Sequence, residues 1–161
     1  MTFSEQGSIV GFQHAVVTVP DMTTSLRFYR DLLGLKVTYA WDHNADTLSK
    51  LTGYQQPQAR AAILECPDGT ELELVEFQRP RGSSHATKRW HDAGISFIAF
   101  KVTNVDALVE RLKAAGVSFN GDVVHHTLED GAVVKVVYCF SPEGTTVTFT
   151  ELPAGRQKLA G

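Results

Sequence analysis

The sequence predicts an α+β fold built from two tandem βαβββ modules, and three observations carry that prediction. A strand-like run followed by a helix-like run occurs twice: "QHAVVTV" (13–19) leads into "DMTTSLRFYRDLLG", and "SFIAFKV" (96–102) leads into "NVDALVERLKAAG". Each copy then closes with a matching hairpin, "CPDGTELELVEF" (66–77) over "SPEGTTVTFTEL" (141–152), in which Pro67, Gly69, Thr70 and Glu76 meet Pro142, Gly144, Thr145 and Glu151. Hydrophobic residues make up 43% of the 161 positions, enough apolar surface for a buried core. The period is too long for a solenoid, so the pattern is that of a duplicated half-domain.

In the first copy, Ile9 to Val19 is rich in β-branched and apolar residues and reads as a strand. Met22, Leu26, Tyr29 and Leu33 then recur at helical spacing, with Asp21 as the N-terminal cap and Gly34 as the left-handed stop. "LKVTYAW" reads as a strand, Asp42 to about Gln58 as a polar loop, and "RAAILEC" and "ELELVEF" as strands around the turn "PDGT". In the second copy the strand "GISFIAFKV" precedes a helix capped by Asn104, striped by Val105, Leu108, Val109 and Leu112, and stopped by Gly116. "VSFNGDVVHH" and "AVVKVVYCF" are strands, and "SPEGT" turns into the last one. The expected organisation is a first module at 8–78, a linker at 79–93, a second module at 94–153 and a frayed tail at 154–161.

Strand alternation sorts the side chains into two faces. Ala15, Val17, Val19, Leu72 and Leu74 in one copy, and Ile98, Phe100, Val102, Val147 and Phe149 in the other, should meet the helices. His14, Val16, Thr18, Glu71, Glu73 and Val75 share the opposite face of the first sheet. Phe97, Ala99, Lys101, Thr146, Thr148 and Thr150 share it in the second. With helices expected on one side only, this other face lines a cavity and is where chemistry belongs.

A net charge of −3 offers no electrostatic pull toward nucleic acid or an anionic membrane. The N-terminal residues "MTFSEQGSIVGF" do not read as a signal peptide, and no apolar run is long enough to cross a bilayer. Cys66 and Cys139 read as free thiols of a cytoplasmic protein rather than a disulfide framework or a zinc site.

The tandem modules, the histidine of "HAVVTVPDMTTSLRFYRDLLGLKV" and the hairpin "CPDGTELELVEF" resemble the vicinal oxygen chelate superfamily, over about residues 8–153. That superfamily includes glyoxalase I, methylmalonyl-CoA epimerase, extradiol dioxygenases, fosfomycin-modifying enzymes and bleomycin-binding resistance proteins. The resemblance implies an eight-stranded, U-shaped sheet around a pocket, with helices on its outer face. It also implies up to four metal-ligand positions, which fall here on His14, Glu73, Phe97 and Thr148. The first two residues are ligands by type. Phenylalanine cannot ligate and a threonine hydroxyl is a poor ligand, so half of a metal site is present.

Two functions follow from a half site. In the first, the protein is an isomerase, epimerase or lyase that moves a proton next to a carbonyl of a small oxygenated molecule. His14 and Glu73 then act as the base, or as part of a Ni, Zn, Mn, Fe or Co site that His125 or His126 would complete. Lys101, Tyr138, Thr148 and Thr150 are the candidate donors to the developing enolate. In the second, the protein is a metal-free binder of an aromatic drug or natural product, with Phe97 where metal would sit and Phe12, Val16, Val75 and Phe77 extending an apolar pocket. The buried histidine–carboxylate pair tilts the reading toward an enzyme. An extradiol dioxygenase is disfavoured, because its iron needs two histidines and a carboxylate. His43, His85 and His91 fall in expected loops, where a solvated role is the default; Trp41 and Trp90 flank loops as gates or packing residues. Arg79, Arg81, Lys88 and Arg89 are basic enough to greet an anionic substrate but read better as a solvated loop. Exposed sheet edges favour a homodimer.

Overall fold

The structure is a computed structural model that describes residue 9, residues 11–82, residue 94 and residues 97–157. The chain divides into two compact units, Met1–Gly82 and Ser83–Gly161. The first contains β1 (His14–Thr18), α1 (Met22–Leu26, continued by a π-helical segment Arg27–Leu32), β2 (Lys36–Asp42), α2 (Ala45–Thr52), β3 (Gln58–Glu65) and β4 (Glu71–Arg79). The second contains β5 (Ile98–Lys101), α3 (Val105–Ala114), β6 (Val124–Thr127), β7 (Val133–Phe140) and β8 (Thr146–Glu151). Each unit holds one four-stranded sheet, ordered β1-β4-β3-β2 and β5-β8-β7-β6. The first and last strands of a unit pair in parallel, and the other pairs are antiparallel. The fold is α+β with a duplicated β-α-β-β-β order, as the repeat requires.

The duplication extends to backbone detail. Cys66 N–H donates to the Thr70 carbonyl and Gly69 N–H to the Cys66 carbonyl; Ser141, Thr145 and Gly144 repeat both bonds. Gly69 (φ 83°) and Gly144 (φ 85°) occupy the left-handed region, where a Cβ is strained, which is why glycine recurs in both turns. The matched acidic residues of the hairpins also share a task. Glu76 Oε2 accepts from the backbone N–H of Met22 at 2.8 Å, and Glu151 Oε2 accepts from that of Val105 at 2.7 Å. Each carboxylate reaches from the last strand of its module to the first turn of the module's helix, where N–H groups lack partners and the helix dipole favours negative charge. Each also faces a cation across the sheet: Arg60 bonds Glu76 at 2.7 Å, and Lys135 is the register partner of Glu151.

Asp21 and Asn104 cap α1 and α3, accepting from Thr24 N–H at 2.7 Å and Ala107 N–H at 3.3 Å. The buried stripe of α3 is Val105, Val109 and Leu112, with Leu108 half-buried. In α1 the expected stripe shifts. The π segment inserts wider turns, Leu33 N–H reaching the Phe28 carbonyl, and Phe28 joins Met22 and Tyr29 in the core. These helices cover the face carrying Val17, Val19, Leu72 and Leu74 in one unit and Val137, Cys139, Val147 and Phe149 in the other, all buried.

Four expectations need correction. The polar segment after Asp42 is not a loop throughout: α2 forms within it, capped by Asn44, which accepts from Thr47 N–H at 3.0 Å, and closed by Gly53 at φ 76°. Nor are helices confined to one face. Leu48 of α2 packs on Ala59, Ala61 and Val75, on the side of the first sheet away from α1. The start of the tail is docked: Arg156 bonds Asp130 at 2.5 Å, and Lys101 bonds Gln157 at 2.9 Å. Strand limits also shorten, since β1 begins at His14 and β6 at Val124, with Phe119 making only an isolated bridge to Cys139. Most of the expected linker, with Lys88, Arg89, His85, His91 and Trp90, lies outside the described residues. No helix among the described residues is long and apolar enough to cross a membrane.

Candidate functional site

On the face of the first sheet opposite α1, two sequence-distant groups meet. His14 opens β1 and Glu73 sits on β4, two positions beyond the residue paired with His14. Their side chains converge: His14 Nε2 lies 2.9 Å from Glu73 Oε2. The side chains are 24% and 11% exposed, so the pair is shielded but reachable. A carboxylate oxygen can only accept, so Nε2 carries the proton of this contact. Nδ1 is buried and has no hydrogen-bond partner among the described residues.

Around this pair the face is acidic at one end and aromatic at the other. Glu71 accepts from Gln13 at 3.3 Å and pairs across the sheet with Glu65. The next row runs Val16, Glu73, Ile63, Tyr39 across all four strands. Tyr39 stacks on Trp41, with ring centroids 5.1 Å apart and planes 25° apart, and Trp41 meets His43 edge-on at 5.2 Å. His43 is half-buried, and its Nε2 is buried with no partner among the described residues, unlike the solvated loop histidine its neighbours suggest. Val16 is exposed on this face. Val75 is not: it is 6% exposed, packed beneath α2 with Ala59 and Ala61, while Phe77 is half-buried against the same cluster and edge-on to Tyr54. These two residues support the wall of the site rather than present a surface. Phe12 is exposed ahead of β1.

In the second unit the register repeats. Ala99 pairs with Thr148 as Val16 pairs with Glu73, which puts Phe97 at the position of His14 and Thr148 at that of Glu73. Phe97 is exposed and meets Tyr138 edge-on at 5.8 Å. Thr148 is buried, and its hydroxyl has no partner among the described residues. Thr150 is half-buried, and Lys101 is held by Gln157. His125 and His126 lie exposed on β6 opposite Lys135 and Val134.

The resemblance to the superfamily implies a divalent metal, and the side chains can be tested against it. His14 and Glu73 supply two donors, Phe97 supplies none, and the Thr148 hydroxyl is neutral. Among the described residues no group of three or more His, Cys, Asp or Glu side chains could hold a metal ion. Two donors do not make up a centre with three or four protein ligands.

Comparison with known proteins agrees with the geometry at the level of the fold. The chain is 32% identical over 152 residues to a 2-epi-5-epi-valiolone epimerase from Actinomyces sp, a match covering 91% of this chain and 81% of that protein. It is 27% identical over 141 residues to a lactoylglutathione lyase from Schizosaccharomyces pombe, covering 81% of this chain and 43% of the lyase. A glyoxalase family protein from Bacillus cereus superposes with a TM-score of 0.80 at 21% identity, covering 91% of this chain and 97% of the other. A fosfomycin resistance protein from Listeria monocytogenes, solved with Mn(II) and sulfate, superposes with a TM-score of 0.60 at 17% identity, covering 91% and 96%. The profile of one superfamily matches residues 11–149. With that span, the duplicated fold and the epimerase relative, the chain belongs to the Glyoxalase/Bleomycin resistance protein/Dioxygenase superfamily.

Proposed function

We propose that the protein is an isomerase-type enzyme that moves a proton at a carbon next to a carbonyl of a small oxygenated substrate, with Glu73 and His14 as the working pair. The observation that carries this reading is the 2.9 Å contact between His14 Nε2 and Glu73 Oε2 on a shielded sheet face. The sequence alone favours the imidazole as base and the carboxylate as its orienter. The geometry favours the reverse assignment. Nε2–H is spent on the carboxylate and Nδ1 is buried, so Glu73 is the member left to take a proton from carbon. The C–H bond breaks, its electron pair passes into the enolate, and the proton rests on Glu73 while His14 holds the carboxylate in place. Return of that proton to a neighbouring atom gives an isomer; a proton delivered from water to the other face of the same carbon, with Glu73 then releasing its own proton to water, gives an epimer. The epimerase and lyase names of the two relatives support this class of reaction.

The test is carbon-bound hydrogen exchange. The protein in D2O with a panel of hydroxyketones should place deuterium next to the carbonyl, and Glu73→Gln should slow it by about 10²-fold or more. Exchange at the parent rate after the substitution would remove Glu73 from the reaction.

Phe97 supports a second reading, ligand sequestration without turnover. It presents an exposed ring, edge-on to Tyr138, where the first unit has its histidine. On that reading Phe97→Ala weakens binding of aromatic ligands by about 1–3 kcal/mol, and unchanged affinity in calorimetry would dismiss it. For the catalytic reading the ligand-facing group proposed beside His14 and Glu73 is Val16; for the sequestering reading the groups proposed on the second unit are Phe97, Lys101, Tyr138, Thr148 and Thr150. The protein is further proposed to be a cytoplasmic homodimer, since each sheet ends in edge strands whose backbone groups a second copy can shield. Sedimentation at the mass of one chain would reject the dimer.

A further inference from the structure

We infer that the second unit carries a gated ligand site of its own. Phe97 and Tyr138 form the gate, the Thr148 hydroxyl is the anchor beneath it, and the ligand is a flat aromatic molecule bearing an uncharged hydroxyl or carbonyl group. The inference rests on the reading of Phe97 as a ligand-facing residue and names the ligand class for that face. Two observations carry it, the reach of the two rings and the state of the hydroxyl.

The rings meet across a strand that separates them. In the sheet order β5-β8-β7-β6, β8 lies between the strand that follows Phe97 and the strand that holds Tyr138. Thr148 pairs with Ala99 on one side and with Tyr138 on the other, so Thr148 and Tyr138 share a face. Phe97 stands two positions before Ala99, and its contact with Tyr138 puts its ring on that same face. Two strand spacings are about 9–10 Å, yet the ring centroids are 5.8 Å apart. Each side chain therefore leans inward over β8. The burial pattern agrees: Phe97 is 42% exposed and Tyr138 half-buried, while Thr146 and Thr148 on β8 are 8% and 3% exposed. The outer strands supply a roof of rings, and the middle strand a floor of hydroxyls.

The floor holds an unmet group. The Thr148 hydroxyl is buried and has no hydrogen-bond partner among the described residues. Buried hydroxyls are as a rule paired, so this one marks a place where a bound molecule supplies the partner. Its surroundings set the partner's charge. Lys135 and Glu151, the charged residues of β7 and β8, turn to the other face, where Asp106 holds Lys135 at 2.6 Å and Glu151 accepts from the Val105 N–H. The ring side keeps Val136, Tyr138 and Phe140 on β7 and Thr146, Thr148 and Thr150 on β8. Lys101, on β5, is engaged by Gln157. An ionised group set down on Thr148 would lose its water without gaining a counter-charge. A neutral hydroxyl or carbonyl suits it, because a threonine hydroxyl both donates and accepts. A flat ring suits the gate. A sandwich needs two contacts of about 3.5–4 Å, so the edge-on pair turns face-on and opens by about 2 Å.

Equilibrium dialysis of the full chain tests this with 2-naphthol, naphthalene and 2-naphthoate, which share a ring system and differ in one group. 2-Naphthol should bind about tenfold more tightly than either comparator. Thr148→Val keeps the shape and removes the hydroxyl. It should cost 2-naphthol about tenfold and leave naphthalene within about twofold, while Thr148→Ser stays within about threefold of the parent. Phe97→Ala should weaken 2-naphthol and naphthalene alike, by about tenfold. Equal affinity of the parent for 2-naphthol and naphthalene, or for 2-naphthol and 2-naphthoate, would overturn the ligand class. No binding of 2-naphthol, or binding indifferent to Phe97→Ala, would overturn the site. Failure of the sequestering reading is distinguishable. Binding that needs Phe97 and Thr148, in a protein that also exchanges deuterium into hydroxyketones, keeps the site and sinks sequestration without turnover. Binding that needs Phe97 but ignores Thr148→Val keeps sequestration and sinks the anchor.

Discussion

At the scale of single residues, the weight falls on two side chains and one thiol. Glu73→Gln keeps the shape of the carboxylate and removes its basicity, so proton exchange should fall about 10²–10⁴-fold with the circular dichroism spectrum unchanged. His14→Ala leaves the carboxylate in place but unheld, and turnover should be lost with the fold intact; full activity would show that Glu73 works alone. Cys139 is wholly buried on the α3 side of its sheet, and loss of hydration pushes its thiol from the ordinary 9.0 up to about 12. It should resist alkylation in the native protein and react after denaturation. The sign of its pH effect follows. The unfolded thiol ionises near 9.0 and the folded one near 12, so its contribution to stability is complete below 9.0 and is lost as pH rises toward 12. A denaturation midpoint that fell less with alkali in Cys139→Ala than in the parent would verify this. The histidine and the glutamate could be picked out by their motifs, but the burial of the Nδ1 atom, on which the proposed choice of Glu73 as base rests, could not, since it is a property of packing.

At the scale of elements, each module ties its last strand to its helix through one carboxylate. Removing Glu151 by alanine should cost about 0.5–2 kcal/mol, the range of a lost helix cap. Glu76→Ala should cost more, because Glu76 is 6% exposed and its loss also strands Arg60. Thermal unfolding of both variants checks the order, and equal losses would show that the Arg60 pair contributes nothing. The match of Glu76 to Glu151 was visible in the repeat, but its purpose was not, since a capping distance across more than forty residues exists only in three dimensions. Helix α2 shows the opposite limit. Asn44 and Gly53 are ordinary start and stop signals, yet Leu48 is the one buried residue between them, and an eight-residue segment with so little apolar periodicity reads as a loop. What holds it is Val75, Ala59 and Ala61 beneath it, contacts supplied by other strands.

At the scale of the whole molecule, the two copies share a framework and differ in the rows that carry His14 and Glu73 in one and Phe97 and Thr148 in the other. Turns, caps and sheet order repeat, while histidine and glutamate in one copy answer to phenylalanine and threonine in the other. With His14 and Glu73 as the strong donors, protein dialysed after exposure to Ni²⁺, Zn²⁺, Mn²⁺ or Fe²⁺ should retain substoichiometric metal by elemental mass spectrometry. Near one ion per chain would require a further ligand. The amino-acid sequence by itself determined the α+β class, the internal repeat and the strand faces, because each of these follows from local periodicity and turn chemistry, while it was the resemblance to the superfamily that set His14 beside Glu73. Tertiary structure alone decided that α2 lies on the face away from α1, that Val75 is core, and that Tyr39 and Trp41 form a stack in line with Glu73. Those depend on which surfaces meet across strands distant in sequence, and no local pattern of residues records that.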